Sequence, residues 1–342
     1  MNALDFSRAL SASPSCNPGV TSVLLIVNPG SRRGSRALPT VLDALRVTGV
    51  RCQAVETTGP GHATSLIRDR ISAEPQAFDA VFTLGGDGTA MEAATALADI
   101  PDAPPLGIIA VGTANVLART LGIPLSPASA VSALIGADAR SIDLGRVVGG
   151  PAFAIGLGIG LDAAMIGGAS SMLKRRFGYA AYALSAIRAG LRLERFRVTL
   201  TIDGAVHRVE ASSVLVANFG TVLGDMVCFG EMIDHQDGQL DVCIYSPRSL
   251  LDAGRIFWRM LLGGVSDDRC VRIIRGREVY IETDPARPTQ ADGELLGLTP
   301  VLVRVAPSAV RVLVPRAIPR RWRFRRAASA RMHTAPPETG TP

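Results

Sequence analysis

One apolar run that stops on three glycines and a carboxylate constrains this chain more than any other stretch. Ala80 to Leu84 is continuous and carries β-branched and aromatic members, the pattern of a buried strand. It breaks at Gly85-Gly86-Asp87-Gly88, after which Thr89 stands as an N-cap and Ala90 to Ala98 predicts a helix. Glycines leave room for a ligand against bare backbone amides. A helix N-terminus behind such a loop offers free N–H groups and a partial positive charge to an anion. A carboxylate there, Asp87, needs a metal, a cation or a substrate proton beside it. The stretch reads either as a nucleotide-phosphate site with Mg²⁺ or acid–base chemistry at hand, or as a plain turn between strand and helix.

The neighbouring segments favour the first reading. Val23 to Val27 is a short apolar run ending in Asn28-Pro29-Gly30-Ser31-Arg32-Arg33-Gly34-Ser35, and Leu38, Val41, Leu42 and Leu45 then keep helical spacing. Val50 to Glu56 alternates as a second strand, and Thr57 to His62 is a loop opening another helix, with His62 as a capping or surface residue. Pro105 to Val111 is a fourth strand, followed by Gly112-Thr113-Ala114-Asn115 and a helix that Gly122 and Pro124 stop. Strands alternating with helices at this spacing predict right-handed βαβ units and a parallel sheet. Its ligand edge lies at the carboxyl ends of the strands, which brings Asn28/Ser31, Asp87/Thr89 and Thr113/Asn115 to one rim.

After a helix over Ser126–Asp138 the character changes. Ile142 to Val148 and Phe153 to Leu161 are strand-like, and a long helix with Lys174-Arg175-Arg176 on its polar face is expected over Ser170–Leu193. Arg197 to Ile202 and Val206 to Val209 flank Asp203-Gly204, a strong hairpin signal. Further strands are expected at Ser213–Asn218, Leu240–Tyr245, Val271–Arg275, Val279–Thr283, Val301–Val305 and Val310–Val314, with one helix among them, Arg248 to Leu262. The second half is therefore antiparallel β, a sandwich or flattened barrel, with the boundary near residue 140. Two acidic loops stand out in it. Asp234-His235-Gln236-Asp237-Gly238-Gln239 could hold a hard cation through oxygens or form an Asx-type turn. Asp292-Gly293-Glu294 is either a hairpin tip or a general base with its orienting partner.

Composition excludes several alternatives. Lys174 is the only lysine, so no phosphate loop of the Gly-Lys-Ser/Thr kind exists here. The net charge of +6 is concentrated at the end: eight arginines and one acid lie from Arg311 onward, leaving the rest close to neutral. Any polyanion attraction therefore belongs to the last thirty or so residues, and no specific nucleic-acid partner is expected. Five cysteines without C-x-x-C and four scattered histidines give no zinc or redox motif and suit a reducing cytoplasm. No apolar run reaches the roughly 18 residues of a membrane span. Residues 1–20, rich in Ser, Pro and Ala, lack the apolar core of a signal peptide and are expected to be a disordered leader.

Asn28-Pro29-x-Ser31, Gly85-Gly86-Asp87-Gly88-Thr89-x-x-Glu92, Gly112-Thr113-x-Asn115 and Asp292-Gly293-Glu294, in this order, resemble the diacylglycerol kinase catalytic family, which includes bacterial lipid kinases and the sphingosine and ceramide kinases. The resemblance covers about Val23 to Val314. It implies an NAD kinase- and phosphofructokinase-like α/β domain that binds ATP (21–140), and a β-sandwich lipid and catalytic domain (141–315) whose last segment returns toward the first. By this resemblance Asn28, Pro29, Ser31, Arg32, Thr57, the Gly85–Thr89 loop, Glu92, Thr113 and Asn115 line the ATP site, and Asp292 and Glu294 deprotonate a lipid hydroxyl, with Glu294 the formal base and Asp87 organising Mg²⁺ or the acceptor. A structural Mg²⁺ is implied at Asp237 by side chain and at Asp234 and Gln239 by backbone. Arg32 stands where the family usually has glycine, and Val116 where aspartate often follows asparagine, which bears on nucleotide preference. The basic tail 316–342, with Trp322 and Phe324 between arginines, suits an anionic membrane surface, giving a cytoplasmic enzyme at the inner face of the membrane. The sequence leaves a homodimer open, and leaves open as other functions a nucleotide- or lipid-binding regulator of the same fold and a kinase with a non-lipid acceptor such as NAD.

Overall fold

A computed structural model describes residues 19–160, 194–222 and 226–316. The leader, the helix expected over Ser170–Leu193 and the tail from 317 lie outside the described residues.

The first half is a parallel sheet flanked by helices. Strands β1 (Ser22–Val27), β2 (Arg51–Glu56), β3 (Ala80–Gly85) and β4 (Leu106–Ala110) run in the order β2-β1-β3-β4. All pairs are parallel, with Leu25 opposite Ala54 on one side and Phe82 on the other. Every residue of β1, β3 and β4 is buried, which is why each reads as an unbroken apolar run rather than an alternation. Helices α1 (Arg32–Val47), α2 (His62–Ala73), α3 (Asp87–Ala98), α4 (Val116–Thr120) and α5 (Pro127–Ile135) connect and cover them. Two starts differ from expectation. Helix α1 begins at Arg32, because the Ser31 hydroxyl accepts the Gly34 N–H and caps it. Helix α3 begins at Asp87 with Gly86 at the cap, so Thr89 sits in the first turn. The Thr89 side chain folds back over Gly85, leaving no space for a Cβ there.

Part of the second half joins the sheet of the first. Strand β18 (Val301–Val314) is one strand of 14 residues where two were expected. It pairs along β5 (Asp138–Val147), with an irregularity between Ala306 and Val310 that does not end the ladder. Its far end meets β4 at Val312–Leu106, and its near half pairs with β15 (Glu278–Asp284), which leads to β8 (Phe196–Ile202) and β9 (Ala205–Ala211). One ten-stranded sheet, with β6 (Ala152–Phe153) paired to β5, thus runs through both halves.

A six-stranded antiparallel sheet packs on its second half, in the order β14 (Val271–Gly276), β13 (Leu240–Tyr245), β10 (Ser213–Ala217), β7 (Gly156–Gly160), β16 (Pro288–Ala291) and β17 (Glu294–Leu298). Val198, Leu200, Val279, Ile281 and Val303 from one sheet meet Leu157, Ile159, Val214, Val216 and Val242 from the other in a continuous core. Helix α6 (Leu250–Leu262), capped by Ser249, covers the outer face of this sheet over Leu215, Cys243 and Tyr245. A short ladder of β11 (Thr221–Val222) and β12 (Val227–Cys228) lies beside it.

Candidate active site

The order β2-β1-β3-β4 reverses direction between β1 and β3, and open α/β sheets bind their ligands at such a point. The loops leaving those two strands are tied together. The Asn28 side-chain amide donates to Thr89 Oγ1 at 3.0 Å, and Asn28 Oδ1 accepts the Gly30 N–H. Pro29 accepts from Ser35 through its carbonyl. The third loop packs onto the second: a Cβ on Gly112 would stand 2.7 Å from Gly86 Cα and 2.8 Å from Asn115 Oδ1. Gly112 is required because the two backbones touch, whereas a Cβ on Gly86 would stand 3.6 Å from Gly112 Cα. Asn115 holds φ at +52°, donates from its side chain to the Gly112 carbonyl, and leaves its buried Oδ1 without a hydrogen-bond partner. An orphan acceptor at a loop rim is open to a donor on a ligand. Thr113 is exposed on the same loop.

Asp87 is turned toward this third loop. Its Oδ1 accepts the Leu117 N–H at 3.2 Å, at the start of α4. Burial pushes its carboxyl up, and the amides of Leu117, Asn115 and Val116 oppose that.

Two of the residues read for the ATP site carry structural contacts. Both carboxylate oxygens of Glu92 accept amides at the start of α2, from Gly61 at 2.8 Å and Ala63 at 3.1 Å. Thr57 is buried and donates its N–H to the Val27 carbonyl, extending the β1–β2 pairing. His62 accepts the Thr58 N–H through Nδ1, which folds the loop between them.

The Asp-Gly-Glu segment arrives from the other half. Asp292 and Gly293 have φ of +46° and +96°, so they form the two-residue turn of the hairpin β16–β17, and Ala291 pairs with Glu294 across it. The turn thereby separates two carboxylates by direction. Asp292 points back: its oxygens accept the backbone N–H groups of Ala154 (2.7 Å), Ile155 (2.9 Å) and Gly156 (3.0 Å). Ala154 and Ile155 interrupt the strand expected over Phe153–Leu161, because their amides face a carboxylate instead of a neighbouring strand. Burial pushes Asp292 up to about 6, with the three amides opposing and the charge of Asp87 adding. Glu294 instead is exposed, and its Oε1 lies 3.4 Å from where a Cβ on Gly88 would stand. A carboxylate of the second half therefore hangs over the central glycine loop of the first.

The Asp234–Gln239 loop forms a separate acidic group. Asp234 and Asp237 accept the amides of Gln236 and Gln239, and the Arg275 guanidinium bonds Asp241 at 2.9 Å. Burial raises Asp237 despite Arg275, and the like charges of Asp234 and Asp143 add to it. Among the described residues no cluster of three or more His, Cys, Asp or Glu side chains forms a metal site.

Asp143 was not singled out in the sequence. It is buried, with Oδ2 accepting Gly238 N–H at 2.7 Å and Oδ1 accepting Ser308 N–H at 2.6 Å, and so pins the acidic loop to the irregularity in β18. The available signal was a carboxylate between apolar neighbours in a strand, Ile142-Asp143-Leu144. Asn218 is a second such residue, donating from its buried amide to the carbonyls of Asp143 and Ala154.

Residues 22–147 match the diacylglycerol kinase catalytic domain, and residues 156–314 match the YegS C-terminal NAD kinase beta sandwich-like domain. This chain belongs to the diacylglycerol kinase family. It is 29% identical over 279 residues to a diacylglycerol kinase of Bacillus subtilis, a match covering 81% of this chain and 90% of that one. An uncharacterized protein of Synechocystis sp. is 28% identical over 239 residues, 69% of this chain, which spans about half (54%) of that protein's length. The crystal structure of a diacylglycerol kinase from Bacillus anthracis str. Sterne superposes with a TM-score of 0.72 at 26% identity, covering 87% of this chain and 98% of that one. The chain is accordingly a phosphotransferase of the lipid-kinase class, and this kinase carries Asp292 within the hairpin turn and Glu294 directly after it. No helix among the described residues is long and apolar enough to cross a membrane.

Proposed function

We propose that this kinase transfers the γ-phosphate of ATP, with Mg²⁺, to the hydroxyl of a diacylglycerol-like or sphingoid lipid at the inner face of a membrane. The approach of Glu294 to Gly88 carries the reading. A carboxylate over a phosphate loop can accept the proton of an alcohol as its oxygen bonds to the γ-phosphorus and the bond to the ADP oxygen breaks. Asp292 acts by position: three backbone amides fix it, and it in turn fixes the start of β17. Asn28, Pro29, Ser31, Arg32, Gly85 to Thr89, Thr113 and Asn115 line the nucleotide, whose phosphates meet bare amides at the starts of α1 and α3. Glu92 and Thr57 support that rim through α2 and β1.

Mg²⁺ bound with ATP supplies the charge neutralisation that loops without lysine leave to amides and arginine. Asp87 is the carboxylate for that ion or for orienting the acceptor. A second, structural Mg²⁺ fits Asp237 by side chain with the carbonyls of Asp234 and Gln239, since Asp237 is raised by burial and by neighbouring carboxylates that a cation would offset.

The test is transfer of label from γ-labelled ATP and Mg²⁺ to a total-lipid extract in mixed micelles. Wild type is expected to give a labelled lipid that Glu294→Gln does not, while both bind ATP. ATP binding with no lipid label from wild type would overturn the reading in favour of a regulator. Label on NAD would reassign the acceptor.

A further inference from the structure

Helix α6 is apolar on both of its faces. Ile256 faces inward, in the core with Leu215, Cys243 and Val265. At 100° per residue Leu250, Leu251, Phe257, Trp258 and Leu262 fall on the opposite side, an arc of roughly 140° that holds no charged residue. Leu251, Trp258 and Leu262 are 84%, 61% and 62% exposed. The charged residues of the helix, Asp252, Arg255 and Arg259, share one boundary and are held in ion pairs there. Arg255 bonds Asp252 at 2.7 Å and Asp268 at 2.8 Å, and Arg259 lies 3.6 Å from Asp268. A contiguous exposed apolar patch marks a contact surface.

We propose that the outward face of α6 is the surface on which this kinase rests in the headgroup region of a lipid bilayer. The inference builds on the lipid-kinase reading above, which puts the acceptor in that bilayer. Three observations select a bilayer as the occupant. The stripe is a flat row about 20 Å long made of leucine, phenylalanine and tryptophan, the residues that interfacial helices immerse. Exposed Arg248 and Arg269 both stand at its N-terminal end, beside Asp252, where guanidinium groups meet lipid phosphates, and the paired Asp252 and Asp268 bring no uncompensated negative charge to that contact. The helix also connects to the site: α4, which follows the Asn115 loop, packs on β11, β11 pairs with β12, and β12 packs on α6. Docking this helix thus sets the catalytic rim at a fixed height above the lipid.

Trp258 is its own reporter, because the chain has two tryptophans and Trp322 lies in the tail. In full-length Trp322→Phe protein, vesicles of phosphatidylcholine and phosphatidylglycerol are expected to shift the Trp258 emission to the blue, and lipids brominated in the acyl chain to quench it. Adding Leu251→Gln and Leu262→Gln should abolish the shift at unchanged thermal melting. The same change should lower transfer to vesicle-borne diacylglycerol by about tenfold or more, and leave transfer to a short-chain, water-soluble diacylglycerol unchanged. An emission unmoved by vesicles overturns the proposal. So does a blue shift that appears without lipid and follows dimer formation in sedimentation, which assigns the face to a second copy. Equal vesicle transfer by both proteins overturns the docking face alone, whereas label on neither acceptor overturns the lipid-kinase reading beneath it.

Discussion

Replacing Gly112 by alanine tests whether the contact between the two glycine loops sets the geometry of the site. The added methyl would lie 2.7 Å from Gly86 Cα, against about 3.5–4.0 Å for carbon atoms in contact, so the loops must part by roughly 1 Å. On the other side it meets Asn115 Oδ1 at 2.8 Å, so the movement cannot be taken up there alone. Overpacking of this size costs about 1–3 kcal/mol of stability. Its kinetic effect is larger, since a shift of about 1 Å in a positioned group can lower turnover about a hundredfold. Gly136→Ala is the control: it lies at the end of α5 and a Cβ there meets nothing within 4 Å. Initial rates with ATP and lipid in mixed micelles should fall about a hundredfold for Gly112→Ala and stay within about twofold for Gly136→Ala. Both proteins should still melt cooperatively. Gly112→Ala activity within a few-fold of wild type, with the protein folded, would refute the idea that the touching loops position the phosphates.

Other outcomes follow from single contacts. Asp292 has a folded value raised to about 6, so it favours the folded state most fully at low pH, and that contribution is lost as pH rises from about 4 through 6. Urea unfolding of wild type should show this loss, on the order of 3 kcal/mol, and Asp292→Asn should lack it; parallel pH profiles would rule out burial as its origin. Asp143→Ala leaves the amides of Gly238 and Ser308 without acceptors, and a loss of about 2–5 kcal/mol is expected in denaturant titration. Glu92→Ala removes the acceptors of the Gly61 and Ala63 amides and should cost about 0.5–2 kcal/mol, read by thermal melting, with ATP still bound. Chelation of divalent cations should lower the melting temperature of wild type but not of Asp237→Asn; equal shifts would remove the structural Mg²⁺ from that loop.

What the sequence alone determined is what short-range chemistry can encode. Parallel strands buried on both faces appear as continuous apolar runs, and glycines mark the places where a backbone needs room, so the four strands of the first half and their loops were legible near residues 28, 85 and 112. Asp203-Gly204 named its hairpin for the same reason: both residues hold positive φ, as that turn requires. Only the tertiary structure decided three other things. It made one strand of Val301–Val314, because pairing with β5 persists through an irregularity that Pro307 and Ser308 announce as an end. It gave Asp292 and Glu294, neighbours in one motif, opposite directions, because a turn points one carboxylate at the amides of Ala154 to Gly156 and the other at Gly88. And it showed that Leu250, Leu251 and Leu262 of α6 lie outside while Ile256 packs inside, since a helical period reports that a face is apolar but not which element, if any, covers it. Periodicity and turn chemistry act over a few residues, whereas strand sharing, carboxylate direction and exposure depend on segments far apart in the chain.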